Sequence, residues 1–552
     1  MIFFSLFAAI LLTPQEAELS AQLPAIFAKS AAHYRALEAD ATAQMWDEKG
    51  RARIPQGWLK WKNGTGGLDM RDIYWWTSGH FPGSLWYLYE ATGDAHLRER
   101  AVAWTEILKP VATYAESHDI GFMMYCSYGN ARRILKTDKY DALLVQTAET
   151  LSRRFQPELG LLRSWGDIAE KEHFLVIPDN LMNLELLEFA AKCTGNQRFA
   201  EIARNHASVT MKNHFRSDGG TYHVLDYDQR PGFVGQVQEI RRGQGRSCRT
   251  AWSRGQSWAI YGYSMMYRES GNPDYLDFAR KVVDYAMNHP NMPKDGIPYW
   301  DYGAPGEERD TSAASVMASG LLELAELLGE EEGARYRAFA VRQLLSLASP
   351  DYFSQGDEVG HFLLKHGVGN KPEGTEIDSP LNYGDYYFLE ALLRFRRFEE
   401  SVTSESEILE RNKIRTYEKM RSLNIPLREV ERNYENVSCF ATNDLVTIRG
   451  MSASNLYEFV YLNGTPDFAT TIAETNRMGV GIYALYYDDG RPNRFIQIPS
   501  GLHLKFHRNG LLQEYASISN GCWCGLFCVF DEKGNVTFSK KYLTPQPVRI
   551  VK

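Results

Sequence analysis

The chain has 552 residues, 44% of them hydrophobic and 24% charged, which is enough material for one large core or two domains. A net charge of −8 argues against a nucleic-acid partner, since phosphate binding needs a basic surface. It still allows a small anionic ligand held by a few local Arg and Lys residues.

The N-terminus, MIFFSLFAAILLTPQEAELSA, carries an apolar run of signal-peptide length that is too short to span a bilayer. Residues 1–20 are therefore expected to be a signal peptide and the protein periplasmic or secreted. The alternative is an ordinary first helix in a cytoplasmic protein. No later stretch reads as transmembrane. Aromatic content is high at 13%, with 12 Trp and 31 Tyr, and aromatic faces stack on sugar rings.

From about residue 20 to 398 the periodicity is helical, with few strand signals. A degenerate repeat runs through it. An apolar, aromatic-rich helix ends at a Gly or Asp turn, and an amphipathic helix follows. GSLWYLYEATGD leads into AHLRERAVAWTEIL, FMMYCSYGNARRILKTD into KYDALLVQTAETLSRRF, and LMNLELLEFAAKCTGN into QRFAEIARNHASVTMKNHF. SWAIYGYSMMYRESGN leads into PDYLDFARKVVDYAMNHP, and SVMASGLLELAELLGE into EGARYRAFAVRQLLSLA. A sixth apolar helix, YYFLEALLRFRRF, closes the series, and residues 20–40 supply its partner.

Helices that are apolar all round belong inside, and those with one polar face outside. The pattern predicts a mainly α fold, an (α/α)6 barrel or six-hairpin toroid, with an open solenoid as the alternative. The unusual residues stand just before the inner helices, in WWTSGHFPG, SHDIG, IPDN, WSRGQ, RDTSA and NYGD. Parallel inner helices would bring these segments to one mouth, where helix N-termini favour an anion. An Asp before a helix is commonly a cap. A cap, however, needs neither Trp nor Arg. Trp75, Trp76, Trp165, Trp252 and Trp258 offer stacking walls, and Arg254 a bidentate partner for a carboxylate.

At these motifs the chain resembles the unsaturated glucuronyl hydrolases, glycoside hydrolase family 88. The stretches WTSGHFPGSLWYLYEATGD, HDIGFMMYCS, PDNLMNLELL, GQGRSCRTAWSRGQSWAIYGY, YWDYGAP with RDTSAASVMASGLLEL, and DSPLNYGDYYFLEALLR carry the likeness over residues 25–398. The resemblance implies an (α/α)6 barrel and hydration of the 4,5-unsaturated uronic acid that a polysaccharide lyase leaves at an oligosaccharide end. Asp179 matches the general acid/base, and Asp119 the second essential carboxylate. Trp76, His118, Trp165, His223, Gln244, Trp252, Arg254 and Trp258 match pocket-lining positions, with Arg254 expected on the uronate carboxylate. Where the family usually has a small, polar or acidic run, this chain reads GRSCRTA. Arg246, Arg249 and, from a later loop, Lys371 are expected to meet a sulfated or otherwise anionic second sugar. The alternatives are an unsaturated rhamnogalacturonyl hydrolase and a non-catalytic glycan-binding protein on the same fold. No His, Cys or carboxylate cluster has ligand spacing, so neither metal nor cofactor is expected.

Seven irregularly spaced Cys residues match no common zinc pattern and read mostly as small buried residues. Residues 399–434 read as a linker or helix. Residues 435–552 alternate around Asp-Gly, Asn-Gly and Lys-Gly turns, which predicts a β-meander appendage.

Overall fold

The computed structural model describes residues 12–60 and 66–400, and a series of strands between 438 and 547. Residues Leu12–Glu399 form one compact unit, and it is mostly helical. Its helices are α1 (Pro14–Thr42), α2 (His80–Thr92), α3 (Ala95–Glu106), α4 (Ile120–Met124), α5 (Asn130–Leu135), α6 (Asp141–Ser152) and α7 (Leu184–Thr194). They continue with α8 (Arg198–Asn213), α9 (Ser253–Ser270), α10 (Pro273–Asn288), α11 (Thr311–Leu347) and α12 over residues 382–400. A π-helical turn, Tyr125–Gly129, joins α4 to α5. Within α11, Gly329 (φ 74°, ψ −176°) is not helical, so α11 is two helices.

Each expected pair is present. The first helix of a pair is buried nearly all round: every residue of α9 from Ser253 to Met266 is buried. Its partner α10 buries only Tyr275, Ala279, Val282, Val283 and Ala286, one stripe at helical spacing. The joint within each pair has one physical form. The first helix stops at a residue in the left-handed region: Gly93 (φ 73°), Lys136 (50°), Gly195 (75°), Gly271 (69°) and Gly329 (74°). There the backbone N–H turns back onto the last turn, as from Gly93 to Tyr89 O and from Gly271 to Tyr267 O. Asp94 and Asn272 then cap the second helix by accepting the His96 and Asp274 N–H groups. The recurring Gly-Asp and Gly-Asn pairs are thus stop and start signals.

The inner helices meet around a buried carboxylate. Tyr87 of α2, Tyr261 of α9 and Ser319 of α11 donate to Glu390 of α12 at 2.7, 3.2 and 2.6 Å. The last inner helix therefore lies beside the first. Helix α1 packs on both α2 and α11, and its Tyr34 donates to Asp385 of α12 at 3.1 Å. Buried indoles find partners for their N–H groups: Trp104 on Glu38 and Trp86 on Thr105, both at 2.9 Å.

Four expectations need correction. The first helix begins earlier than the expected residue 20. Helix α1 starts at Pro14 behind a Thr13–Glu16 capping box, Glu16 pairs with Arg337 at 2.6 Å, and Leu19 is fully buried. The apolar run itself lies at residues outside those described. One later segment, Thr311–Gly329, is long and apolar enough to cross a membrane, but 78% of it is buried as an inner helix. Cys126 and Cys528 are buried as expected, whereas Cys193 and Cys248 are exposed. Short sheets also punctuate the helical unit. They are the hairpin Arg53–Lys60 with Gly66–Asp72, the pair Phe155–Gln156 with Leu161–Leu162, the trio Leu175–Val176, Val224–Tyr227 and Val237–Arg241, and the hairpin Gly367–Asn370 with Thr375–Ser379.

The strands from Ser438 onward belong to a second unit. Ser438–Thr442, Leu445–Ser452, Asn455–Leu462 and Thr465–Pro466 pair antiparallel in chain order. So do Gly481–Tyr486, Pro492–Ile498, Gly501–Phe506, Leu512–Ser519, Cys522–Phe530 and Val536–Pro547. Of the expected linker 399–434, residues 399 and 400 end α12, and the rest of it, like the Gly turns, lies outside the described residues.

Lys136 holds the αL joint that glycine holds in the other pairs. A side chain in this region costs about 1 kcal/mol. Lys136→Gly should therefore raise stability by up to about 1 kcal/mol in chemical denaturation. A loss of stability would show that the Lys136 side chain contributes more than the backbone strain it imposes.

Candidate active site

Asp119 stands at the N-cap position of α4 but makes no capping bond. Its Oδ2 instead accepts from Ser117 Oγ at 3.0 Å, and its Oδ1 lies 3.3 Å from His118 Nε2. Asp179 sits in the first turn of a 3-10 helix, Pro178–Asn183, that packs against α4 and α9. Asp310 shows what a cap looks like here: its carboxylate accepts the Ser312 and Ala313 N–H groups at the start of α11. The cap reading fits Asp310 and fails for Asp119 and Asp179.

Two side chains lock the Asp119 and Asp179 segments together. Asn183 Oδ1 accepts the Phe122 N–H at 2.8 Å. The approach is so close that a Cβ on Gly121 would stand 2.5 Å from that oxygen, which explains the glycine in HDIGF. Asn180 donates to Leu162 O at 3.0 Å and meets His118 Nδ1 at 3.1 Å through its own oxygen.

Another wall comes from the loop before α9. Gly243 has φ 58°, and a Cβ there would lie 2.1 Å from His223 Nδ1. The bare backbone lets the Gln244 N–H donate to that nitrogen at 2.8 Å. His223 then carries its proton on Nε2, which faces Asp179 Oδ2 at 3.8 Å. The Gln244 side chain reaches Gly369 O at 3.0 Å, and the same carbonyl accepts from Arg254 Nη2 at 2.7 Å.

Aromatic contacts link the remaining residues. Trp165, partly exposed, meets His223 edge-on at 5.8 Å, and His223 lies 4.4 Å from Trp252. The Arg254 guanidinium stacks over Trp252 at 4.3 Å and Tyr383 at 5.2 Å. Tyr383 touches Trp76, Trp76 touches Phe122, and Phe122 touches Trp258 at 4.8, 5.7 and 5.2 Å.

Among the residues just named, seven buried polar atoms have no hydrogen-bond partner among the described residues: Asp179 Oδ2, His118 Nε2, Asn183 Nδ2, His223 Nε2, Arg254 Nε, Trp258 Nε1 and Tyr383 Oη. Buried polar atoms are nearly always paired. Seven orphans within one network of contacts mark a site built for a polar ligand.

The electrostatics follow from burial. Loss of water raises the Asp179 carboxyl to about 7; Arg254 opposes the rise, and the charge of Asp119 adds to it. The Trp258 N–H is near enough to favour the Asp179 carboxylate without closing a hydrogen bond. Burial and Arg254 push His223 down to about 3, and burial also lowers His118, so both imidazoles favour the neutral form. At neutral pH Asp179 is poised between acid and carboxylate, the condition for general acid–base work.

Four expected binding residues differ from their reading. Arg254 was expected to offer an open fork. Its Nη1 is committed to Asp310, at 3.2 Å, and to Val368 O, and its Nη2 to Gly369 O. Nε is its donor without a partner. Arg246 and Lys371 do converge, but on acids: both bond Glu307, and Lys371 also bonds Glu308. Arg249 is not with them. It is exposed and lines a cleft with Arg216, Asp218 and Tyr285. Sequence reasoning missed Asn180, Asn183, Tyr383 and Glu307. The signal was present for the two Asn residues, since PDNLMN places them one and four residues after Asp179.

No family model matches the sequence. Over 326 residues the chain is 41% identical to an unsaturated glucuronyl hydrolase of Formosa agariphila, covering 58% of this chain and 79% of that protein. It is 34% identical over 328 residues to an unsaturated chondroitin disaccharide hydrolase of Streptococcus pyogenes, covering 58% and 81%. Among solved structures, an unsaturated glucuronyl hydrolase specific for heparin superposes with a TM-score of 0.61 at 38% identity, covering 68% of this chain and 98% of that one. An unsaturated glucuronyl hydrolase from Streptococcus agalactiae in complex with dGlcA-GalNAc6S superposes with a TM-score of 0.55 at 25% identity, covering 70% and 92%. The chain belongs to the unsaturated glucuronyl hydrolase family, glycoside hydrolases that remove an unsaturated uronic acid from an oligosaccharide.

Proposed function

We propose that this hydrolase releases the 4,5-unsaturated uronic acid at the non-reducing end of a lyase product by hydrating its vinyl ether, with Asp179 as the general acid and base. The observation that carries the reading is a buried carboxyl raised to about 7 whose Oδ2 has no partner. Asp179 gives its proton to C4, and the C4=C5 electron pair forms the new C–H bond. Positive charge develops at C5 and on the ring oxygen. Water adds to C5 and returns a proton to Asp179. The hemiketal opens and the aglycone leaves. Asp119 holds sugar hydroxyls and repels the proton-free form of Asp179. Arg254 Nε, with Gln244, His118, His223, the Trp258 N–H and the Trp76 and Trp165 faces, positions the sugar and its carboxylate, while Trp252 and Trp258, expected as stacking walls, are buried and back the site.

The reading extends to architecture and place. The six inner helices form an (α/α)6 toroid, supported by the Glu390 hub and by α1 lying on both α2 and α11. The strands after residue 435 form an accessory appendage to it. The apolar run ahead of Thr13 supports export, with the folded unit beginning at α1.

The aglycone side is closer to neutral than its sequence implies. Lys371, with Trp300 and Arg246, holds Glu307 ionised at about 2, so Arg246 and Lys371 are balanced by Glu307 and Glu308. A sulfate on the second sugar must compete with these carboxylates.

Five outcomes test this function. Asp179→Asn should lower kcat by about 10²–10⁴-fold on an unsaturated disaccharide with little change in binding. The same variant should be more stable at pH 7–8, by up to about 4 kcal/mol, because the folded protein no longer holds a carboxyl against ionisation. Asp179 is the proton donor, so wild-type kcat/KM should fall as pH rises through about 7. Near wild-type turnover by Asp179→Asn would move the donor elsewhere, with Asp119 the first candidate. Glu307→Gln should raise kcat/KM for a sulfated over an unsulfated disaccharide by about tenfold, as charged hydrogen-bond donors are released. An unchanged ratio would remove Arg246 and Lys371 from the sugar site. Finally, a chain ending at residue 400 should keep disaccharide turnover, and a folded but inactive truncation would place part of the site in the appendage.

A further inference from the structure

Helix α4 begins with an Asp at its N-cap position, yet that Asp caps nothing. An N-cap side chain normally accepts the N–H of the second or third helical residue. Here the third is Phe122, and its N–H is taken by Asn183 Oδ1 at 2.8 Å, from the turn that carries Asp179. The acceptor comes from a segment 61 residues away, brought within reach because Gly121 has no side chain to hold the two backbones apart.

We propose that Asn183 is a positioning residue that caps α4 in place of Asp119 and thereby frees the Asp119 carboxylate for the site. This rests on the reading of Asp119 and Asp179 as the working carboxyls. Two groups compete for the role of cap, and only one is needed. Asn183 is fully buried, has one oxygen on Phe122, and its Nδ2 bonds nothing among the described residues. Its contribution is therefore the acceptor. With that acceptor present, Asp119 turns to Ser117 and His118, where its charge reaches Asp179. Without it, the buried, unpaired Phe122 N–H would draw the carboxylate at the N-cap position, Asp119.

The consequence is specific. The groups facing Asp119 are His118, Arg154 and Asp179; those facing Asp179 are Arg254, His223, Trp258 and Asp119. A negative charge at Asp119 raises the proton affinity of Asp179. If Asp119 swings onto Phe122, that contribution falls, and Asp179 ionises at lower pH. A merely structural Asn183 would change stability without moving this limb.

The test is a crystal structure and a pH profile of Asn183→Ala and Asn183→Asp in the full chain. In Asn183→Ala the Asp119 carboxylate should accept the Phe122 N–H, kcat should fall by about 100-fold, and the basic limb of kcat/KM should move to lower pH. Asn183→Asp keeps the acceptor and loses no existing bond, so Asp119 should stay beside Ser117 and His118. If Asn183→Ala does not fold, Asn183→Ser, too short to reach Phe122, takes its place. An Asp119 that remains in its wild-type position, or an unshifted limb, overturns the proposal. Because the structure reports the position of Asp119 directly, it decides this point even if turnover depends on other groups.

Discussion

The site depends on one costly arrangement: a carboxyl group held away from water. Raising the Asp179 carboxyl from its ordinary range to about 7 penalises its ionised form by roughly 4 kcal/mol. The unfolded chain ionises near pH 4, so the cost to folding grows from there to about pH 7 and then levels off. That is a large fraction of the 5–15 kcal/mol by which proteins are typically stable. The core of inner helices, with fully buried Trp86, Trp104 and Trp258, is what the fold sets against it.

The repeat explains how so many polar groups reach one place. Four of the pairs turn at the same αL joint, and polar residues stand just ahead of the apolar helices. Residues far apart in the chain then need only local devices to reach the site. Gly121 permits the approach of Asn183, and Gly243 folds the Gln244 backbone over His223. The orphaned atoms of His118, Asp179, His223, Arg254 and Trp258 remain unpartnered beside these devices.

Much of this was legible in the residue order. The apolar helices and their amphipathic partners follow from periodicity, and the Gly-Asp and Gly-Asn joints from helix-stop chemistry. Asp119 and Asp179 stand out because each precedes an apolar helix. Other features were not legible, for physical reasons. The short hairpins lack the alternating runs that announce strands. Arg254 looks like an open fork until Asp310 and the Val368 and Gly369 carbonyls arrive from distant loops. Arg246 and Lys371 read as free cations because Glu307 and Glu308 lie more than sixty residues from each of them. Charge balance across such separations is a property of the fold and not of any local stretch. The start of α1 was misplaced because its Thr13–Glu16 capping box abuts the apolar run.

The central claim is that a proton from the enzyme forms a new C–H bond at C4 of the sugar, which ordinary glycoside hydrolysis does not do. The most direct measurement is turnover of an unsaturated disaccharide in D₂O, quenched early and read by NMR and mass spectrometry. A control holds the isolated product in the same solvent, to measure exchange next to its ketone. Hydration through Asp179 requires one deuterium at C4 in every released uronic acid, delivered to a single face and appearing faster than the control exchange. Release of the sugar with C4 unlabelled beyond the control would contradict the account.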